Sequence, residues 1–244
     1  MAETMTLRAY LDDVKRLLDR GAATEVISHC RYILQHYPRN VETYRLLAQA
    51  LLQKAQEQSS GTLFDEAIEV FQRVLGVLPG DHVAHIGLSE IREHEGRLDQ
   101  AIWHLERAYE QLPGNPMLHE GLRALYSKRD GDSRTPAKIH LTRGALARQY
   151  VNGQLYDQAL IELRHALEQN PARLDLQVML AETLLESHHV VEAGEVALQI
   201  LKKLPDCLPA NRILARLWLD NERPSDAQVF LDRVEALDPY AAAQ

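Results

Sequence analysis

The side chains with the greatest chemical capacity in this sequence are eleven histidines and two cysteines, Cys30 and Cys207. His82 with His85 and His188 with His189 are the nearest histidine clusters. A zinc site needs three or four nitrogen, sulfur or oxygen ligands at suitable spacing. His188 and His189 fall at a turn between two helical patterns with no Cys or carboxylate at ligand spacing, so they are expected to be exposed turn residues. Asp130-Gly-Asp132 opens like a calcium loop, but Arg134 and Leu141 stand where oxygen donors are required. Two cysteines make neither a disulfide framework nor a four-thiolate site. Cys30 lands at an inward helical position and should be a small buried hydrophobe, whereas Cys207, just after Pro205, is expected to be the more accessible. There is no glycine-rich phosphate loop, nucleophile elbow or zinc-protease helix. No residue qualifies as catalytic or metal-binding, no cofactor is expected, and function must come from a binding surface.

The elements that would build such a surface are marked by proline. Pro38, Pro79, Pro113, Pro171, Pro205 and Pro239 are spaced by 41, 34, 58, 34 and 34 residues. Twelve residues before these prolines stand Val26, Ala67, Ala101, Ala159, Ala193 and Ala227. A Leu–small pair recurs further upstream, as Leu47-Ala48, Leu88-Ser89, Leu146-Ala147, Leu180-Ala181 and Leu214-Ala215. Apolar residues recur at three- and four-residue steps, as in Ala159, Leu160, Leu163, Ala166 and Leu167, which is a helical stripe. Small residues let a partner helix approach closely, and each proline ends the second helix of a unit by removing a donor. No segment alternates like a strand, so the chain is predicted to be all-α.

The period, the Leu–small pair, the mid-repeat alanine and the closing proline resemble the tetratricopeptide repeat. Six units follow, at about 7–40, 41–80, 82–115, 140–173, 174–207 and 208–241. The resemblance implies a right-handed α-solenoid of antiparallel helix pairs, six repeats plus one extra helix, serving as a non-catalytic protein-interaction scaffold. The first repeats diverge most: Asp13-Val14 replaces the Leu–small pair and Val26 the alanine. The aromatic near the start of each first helix survives as Tyr10 and Tyr44 but reads His85, Arg143, Gln177 and Asn211 elsewhere.

Two spacings break the period. Seven extra residues are placed at Gln56–Thr62, as a lengthened helix followed by a turn. The long gap holds an amphipathic helix at about 115–128 and then a polar stretch, with the next helix expected near Ala137. This divides the chain into an N-terminal block (1–128, three repeats plus a capping helix), a linker (129–137) and a C-terminal block (138–244, three repeats). A linker of this composition suggests a hinge. After Pro239 no capping helix appears, so Val229, Phe230, Val234 and Leu237 should leave an apolar margin, as at the end of a fragment or of a subunit interface.

In a solenoid of helix pairs the first helices line the concave face. The second, fifth, ninth and twelfth positions of each repeat should point there. They place Arg148 in repeat four, Glu182 in repeat five, and Arg212 and Arg216 in repeat six, with Arg45 and Gln49 in repeat two. Three arginines over an apolar floor suit an acidic or C-terminal peptide, because the guanidinium fork pairs with carboxylates. In the first block Glu90 and Glu93 make the groove more acidic. Some family members grip chaperone C-termini through Lys and Asn at the fifth and ninth positions of one repeat. Here those positions read Leu11/Lys15, Gly144/Arg148 or Arg212/Arg216, so that partner is not implied.

The 244 residues carry 27 Lys+Arg against 35 Asp+Glu, a net charge of −8 shared by both halves. That balance disfavours a nucleic-acid partner. No apolar run approaches the roughly 18 residues of a membrane span, and a cytoplasmic location is the expectation. Two alternatives stand beside the scaffold: homo-oligomerisation through the array ends, and a regulatory region cut from a larger enzyme or regulator.

Overall fold

The computed structural model describes residues 6–131 and 139–240, and among these residues it contains thirteen α-helices and no strand. The first block holds α1 (Leu7–Asp19), α2 (Ala23–His36), α3 (Val41–Gln58), α4 (Gly61–Val77), α5 (His82–His94), α6 (Leu98–Gln111) and α7 (Pro116–Asp130). The second holds α8 (Arg143–Asn152), α9 (Tyr156–Gln169), α10 (Leu174–Glu186), α11 (Val190–Lys203), α12 (Leu208–Asp220) and α13 (Pro224–Leu237). They pair as α1/α2, α3/α4, α5/α6, α8/α9, α10/α11 and α12/α13, with α7 left over, which makes a helical-repeat solenoid. No helix among the described residues is long and apolar enough to cross a membrane.

The small residues do what their spacing predicted. Ala67, Ala101, Ala159, Ala193 and Ala227 are all fully buried. Within repeat three the helices come close enough for the Ser89 hydroxyl to donate to the Ala101 carbonyl at 2.8 Å. The turn before each proline is built the same way throughout. Tyr37, Leu78, Leu112, Asn170 and Leu204 end their helices and donate back four residues, to the carbonyls of Ile33, Val74, Ala108, Ala166 and Ile200. Where the next helix starts with Asn40, Asp81 or Asn115, that side chain accepts from the N–H of Thr43, Ala84 or Met117 and satisfies an orphan donor.

Three local expectations need correction. The helix of repeat two does lengthen, to Gln58, but the turn is only Ser59-Ser60, with Ser59 in the left-handed region, and Gly61 and Thr62 already belong to α4. The helix expected near Ala137 starts at Arg143, because Thr142 caps it by accepting from Ala145 N–H at 3.1 Å. Most of the proposed linker 129–137, from 132 onward, lies outside the described residues. Cys207 is not the accessible thiol: it is as fully buried as Cys30, and burial pushes the thiols up, to about 11 and about 12.

Where the period breaks, α7 packs on α6, and α8 then packs on α6 as well. Ala101, Leu105 and Ala108 of α6, Leu118, Leu122 and Leu125 of α7, and Ala145 of α8 form one apolar cluster. Beside it lies a buried ionic junction. Glu110 of α6 is 2% exposed and is shared by Arg107, by the Thr142 hydroxyl at 2.7 Å and by Arg173, which also holds Asp175. Gly144 makes room for this carboxylate, since a side chain there would overlap it. The two sides of the interruption are thus tied by a desolvated acid of α6 that reaches Arg173 and the Thr142 hydroxyl.

The array curls until its end meets its beginning. Leu208, Val234 and Leu237 belong to the same buried cluster as Leu11, Val41, Val74 and Val77. Arg39 pairs with Asp206, and the Arg8 N–H donates to the Tyr240 hydroxyl at 3.0 Å. The expected apolar margin is therefore largely covered: Val234 and Leu237 are buried and Phe230 is half-buried, while Val229 remains 49% exposed. The first block covers Val234 and Leu237, a contact between distant repeats that no local pattern encodes, while Phe230 packs on the second block's own core.

Candidate functional site

The curl turns the inner face into two adjoining hollows. One, of about 380 Å³, lies between α10, α12 and α13. Its floor is Leu185, Ile213, Leu219, Leu231 and Val234, and its rim carries Glu182, Glu186, Asp220, Arg212 and Arg216. The second, of about 330 Å³, is walled by Arg45, Asp81, Gln111, Arg148, Asp175, Val178 and Glu182. Glu182 and Pro209 border both, so one continuous surface runs from α3 to α12.

The predicted concave residues divide into engaged and available groups. Arg45 is 22% exposed; it donates through Nε to Asp81 at 2.9 Å and also pairs with Glu42. Burial alone would disfavour its charge, but those two carboxylates hold its proton more tightly than usual. Arg148 is half-buried and donates to the Gln111 side chain, while its Nε has no protein partner. Burial lowers the affinity of Arg148 for its proton, and Glu182 partly offsets that. Glu182 is exposed like Arg212 and Arg216, but its recessed place between the hollows keeps bulk water from it and raises its carboxyl against the opposing pull of Arg148 and Arg212. Arg212 and Arg216 are exposed on the rim of the first hollow. Arg216 stands 3.9 Å from Glu186 and 3.8 Å from Asp220, long contacts that leave its fork free to re-pair.

Gln49 lies elsewhere, in a hollow of about 330 Å³ with Gln53, Gln56, Phe71, Ile86 and Glu90. Burial raises the Glu90 carboxyl, against a hydrogen bond from Gln56 at 3.2 Å. The structure thus brings Arg148, Glu182, Arg212 and Arg216 around one surface, adds Arg45 from across the curl, and keeps Gln49 apart. Sequence reasoning missed Glu110 and Arg173. In the other repeats the position of Glu110, three before the proline, holds Gln35, Gly76, Glu168, Lys202 or Ala236, so nothing there signals burial. The one available signal was Gly144, a gap at an inner helical position.

Repeated helix pairs, a turn proline in common register and an inner face lined by first helices define a helical-repeat protein with a recessed inner surface. Sequence models of the tetratricopeptide repeat match residues 52–116 and 154–217, together more than half of the chain. The chain belongs to the tetratricopeptide-repeat family. Among solved structures it is similar to TTC0263, a thermophilic TPR protein of Thermus thermophilus, at 20% identity over 75% of this chain and 84% of that one, with a TM-score of 0.47. It is also similar to YrrB, described as a TPR protein with an unusual peptide-binding site, at 15% identity over 86% of this chain and 92% of that one, TM-score 0.36. Yeast Tom70 is 18% identical over 89% of this chain and 47% of that one, TM-score 0.41. No curated protein matches the sequence.

Proposed function

We propose that this protein is a non-catalytic interaction scaffold that holds a partner peptide against the inner face of its last two repeats. The family supports a protein partner in general. What carries the particular site is the hollow between α10, α12 and α13, where two exposed arginines stand above an apolar floor. An apolar side chain of the partner would enter between Ile213, Leu219 and Leu231, and a carboxylate would displace Glu186 and Asp220 from Arg216. The rim carries three acids against two arginines, so the site suits one well-placed carboxylate beside an apolar residue rather than a densely acidic segment. Arg148 and Arg45, already engaged, act in this reading as fixed walls, and Glu182 separates the two hollows.

The test is a selection of displayed random peptides on the full chain, followed by titration of the enriched sequences. Enriched peptides should combine an acidic with an aliphatic or aromatic residue. Their affinity should fall at least tenfold in Arg212→Glu/Arg216→Glu with helicity unchanged. Selected peptides that bind this variant as well as the parent chain would remove the site from consideration.

A further inference from the structure

The inner face of the first repeat is occupied by the chain's own end. Arg8, Leu11 and Lys15 take the same register on α1 that Pro209, Arg212 and Arg216 take on α12. With Asp12, Asn40, Glu42 and Arg212, these α1 residues line a polar hollow of about 320 Å³ that Asp238 and Tyr240 close from the other side. The contact has a definite chemistry. The backbone N–H of Arg8 donates to the Tyr240 hydroxyl at 3.0 Å, and the Arg8 guanidinium lies 5.5 Å from the centre of that ring. Asp238 accepts from the Tyr240 N–H at 3.0 Å, which fixes the turn that presents the ring. Outside this hollow the seam is held by Leu237 and Val234 against the first block and by the half-exposed Arg39–Asp206 pair. Exposed ion pairs and single hydrogen bonds contribute little each, so the Asp238–Tyr240 contact can leave α1 while the buried Val234 and Leu237 stay packed behind it.

We propose that the Arg8/Lys15 face of α1 is a docking surface for an acidic segment carrying an aromatic residue, held shut by the chain's own Asp238-Pro239-Tyr240 and opened when a partner segment of that chemistry displaces it. A tethered tail competes at an effective concentration on the order of 1 mM. Only a partner that is tighter or abundant displaces it, and Arg212, which borders this hollow as well as the one between α10, α12 and α13, places the two surfaces side by side.

The probe is a fluorescein-labelled peptide with the sequence of residues 232–240, titrated by polarisation into the full chain and into full-length Asp238→Ala/Tyr240→Ala. The altered chain, with its tail contacts removed, should bind the peptide about tenfold more tightly than the parent chain, whose own tail competes. Adding Arg8→Glu/Lys15→Glu should abolish that binding. Equal binding to the parent and tail-altered chains, no binding to a tail-altered chain of unchanged helicity, or indifference to the α1 charge reversal would each overturn the proposal. Neither Arg8 nor Lys15 lines the α10–α12–α13 hollow, so the two readings fail separately.

Discussion

Tyr44, His85, Gln177 and Asn211 share one position in their repeats, and each reaches the carbonyl of the turn proline six residues upstream, Pro38, Pro79, Pro171 or Pro205. A phenol, an imidazole and two carboxamides are interchangeable there because only a donor at that height is needed. Asn211 is fully buried, so Asn211→Leu should cost about 1–3 kcal/mol in urea unfolding by leaving the carbonyl of Pro205 unpaired. His85 brings a second consequence. Its Nε2 faces the Pro79 carbonyl and its Nδ1 faces His104 Nδ1 at 3.1 Å, a contact that closes only while at least one of the two facing nitrogens is unprotonated. Burial lowers both histidines, His104 to about 3. A histidine depressed in the fold takes its proton more readily when unfolded, near pH 6.5. Stability should therefore be level above about pH 7 and decline as pH falls from about 6.5 towards 3, and His104→Leu should flatten that decline in urea midpoints measured from pH 8 to 5.

The elements are positioned by contacts of two kinds, close helix packing and one ionic junction. Gly87 of α5 lies against the Phe71 ring of α4, and any side chain there would overlap it. Gly87→Ala should cost about 1–3 kcal/mol through overpacking, measurable by thermal or urea unfolding. At the interruption, Glu110 is buried between Arg107 and Arg173. Glu110→Ala would leave Arg173 only Asp175 and Arg107 only Glu106, and should cost about 3–5 kcal/mol, whereas replacing Glu110, Arg107, Arg173 and Asp175 together by Leu and Met should cost far less, because the buried charges are then removed as a set. Urea unfolding of the two variants distinguishes these outcomes. The polar composition after α7 suggested a hinge, but the α6–α8 packing and this junction join the two sides directly.

At the scale of the whole molecule, a linear repeat array transmits a perturbation only to its neighbours. Here the last helix rests on the first block, so the two ends should lose protection together. Leu237→Ala, at a residue 2% exposed, should cost about 2–5 kcal/mol and raise amide hydrogen exchange in α1–α4 as well as in α12–α13. Faster exchange confined to α12 and α13 would mean that the seam contributes nothing to closure.

The sequence by itself determined the helix pairs, their register and their closing turns, because these depend on contacts within about 34 residues: small residues where helices touch and a proline where the second helix ends. It also located the inner positions, since their register follows from the period. Which of those residues remain available was decided only in three dimensions. Arg148 is engaged by Gln111 and Arg45 by Asp81, while Arg212 and Arg216 are left on an open rim. The burial of Glu110 and the docking of Asp238–Tyr240 on α1 likewise depend on how far the array curls. That curvature sums small rotations over six repeats and brings together residues as far apart in the chain as Arg8 and Tyr240, whose meeting no local pattern encodes.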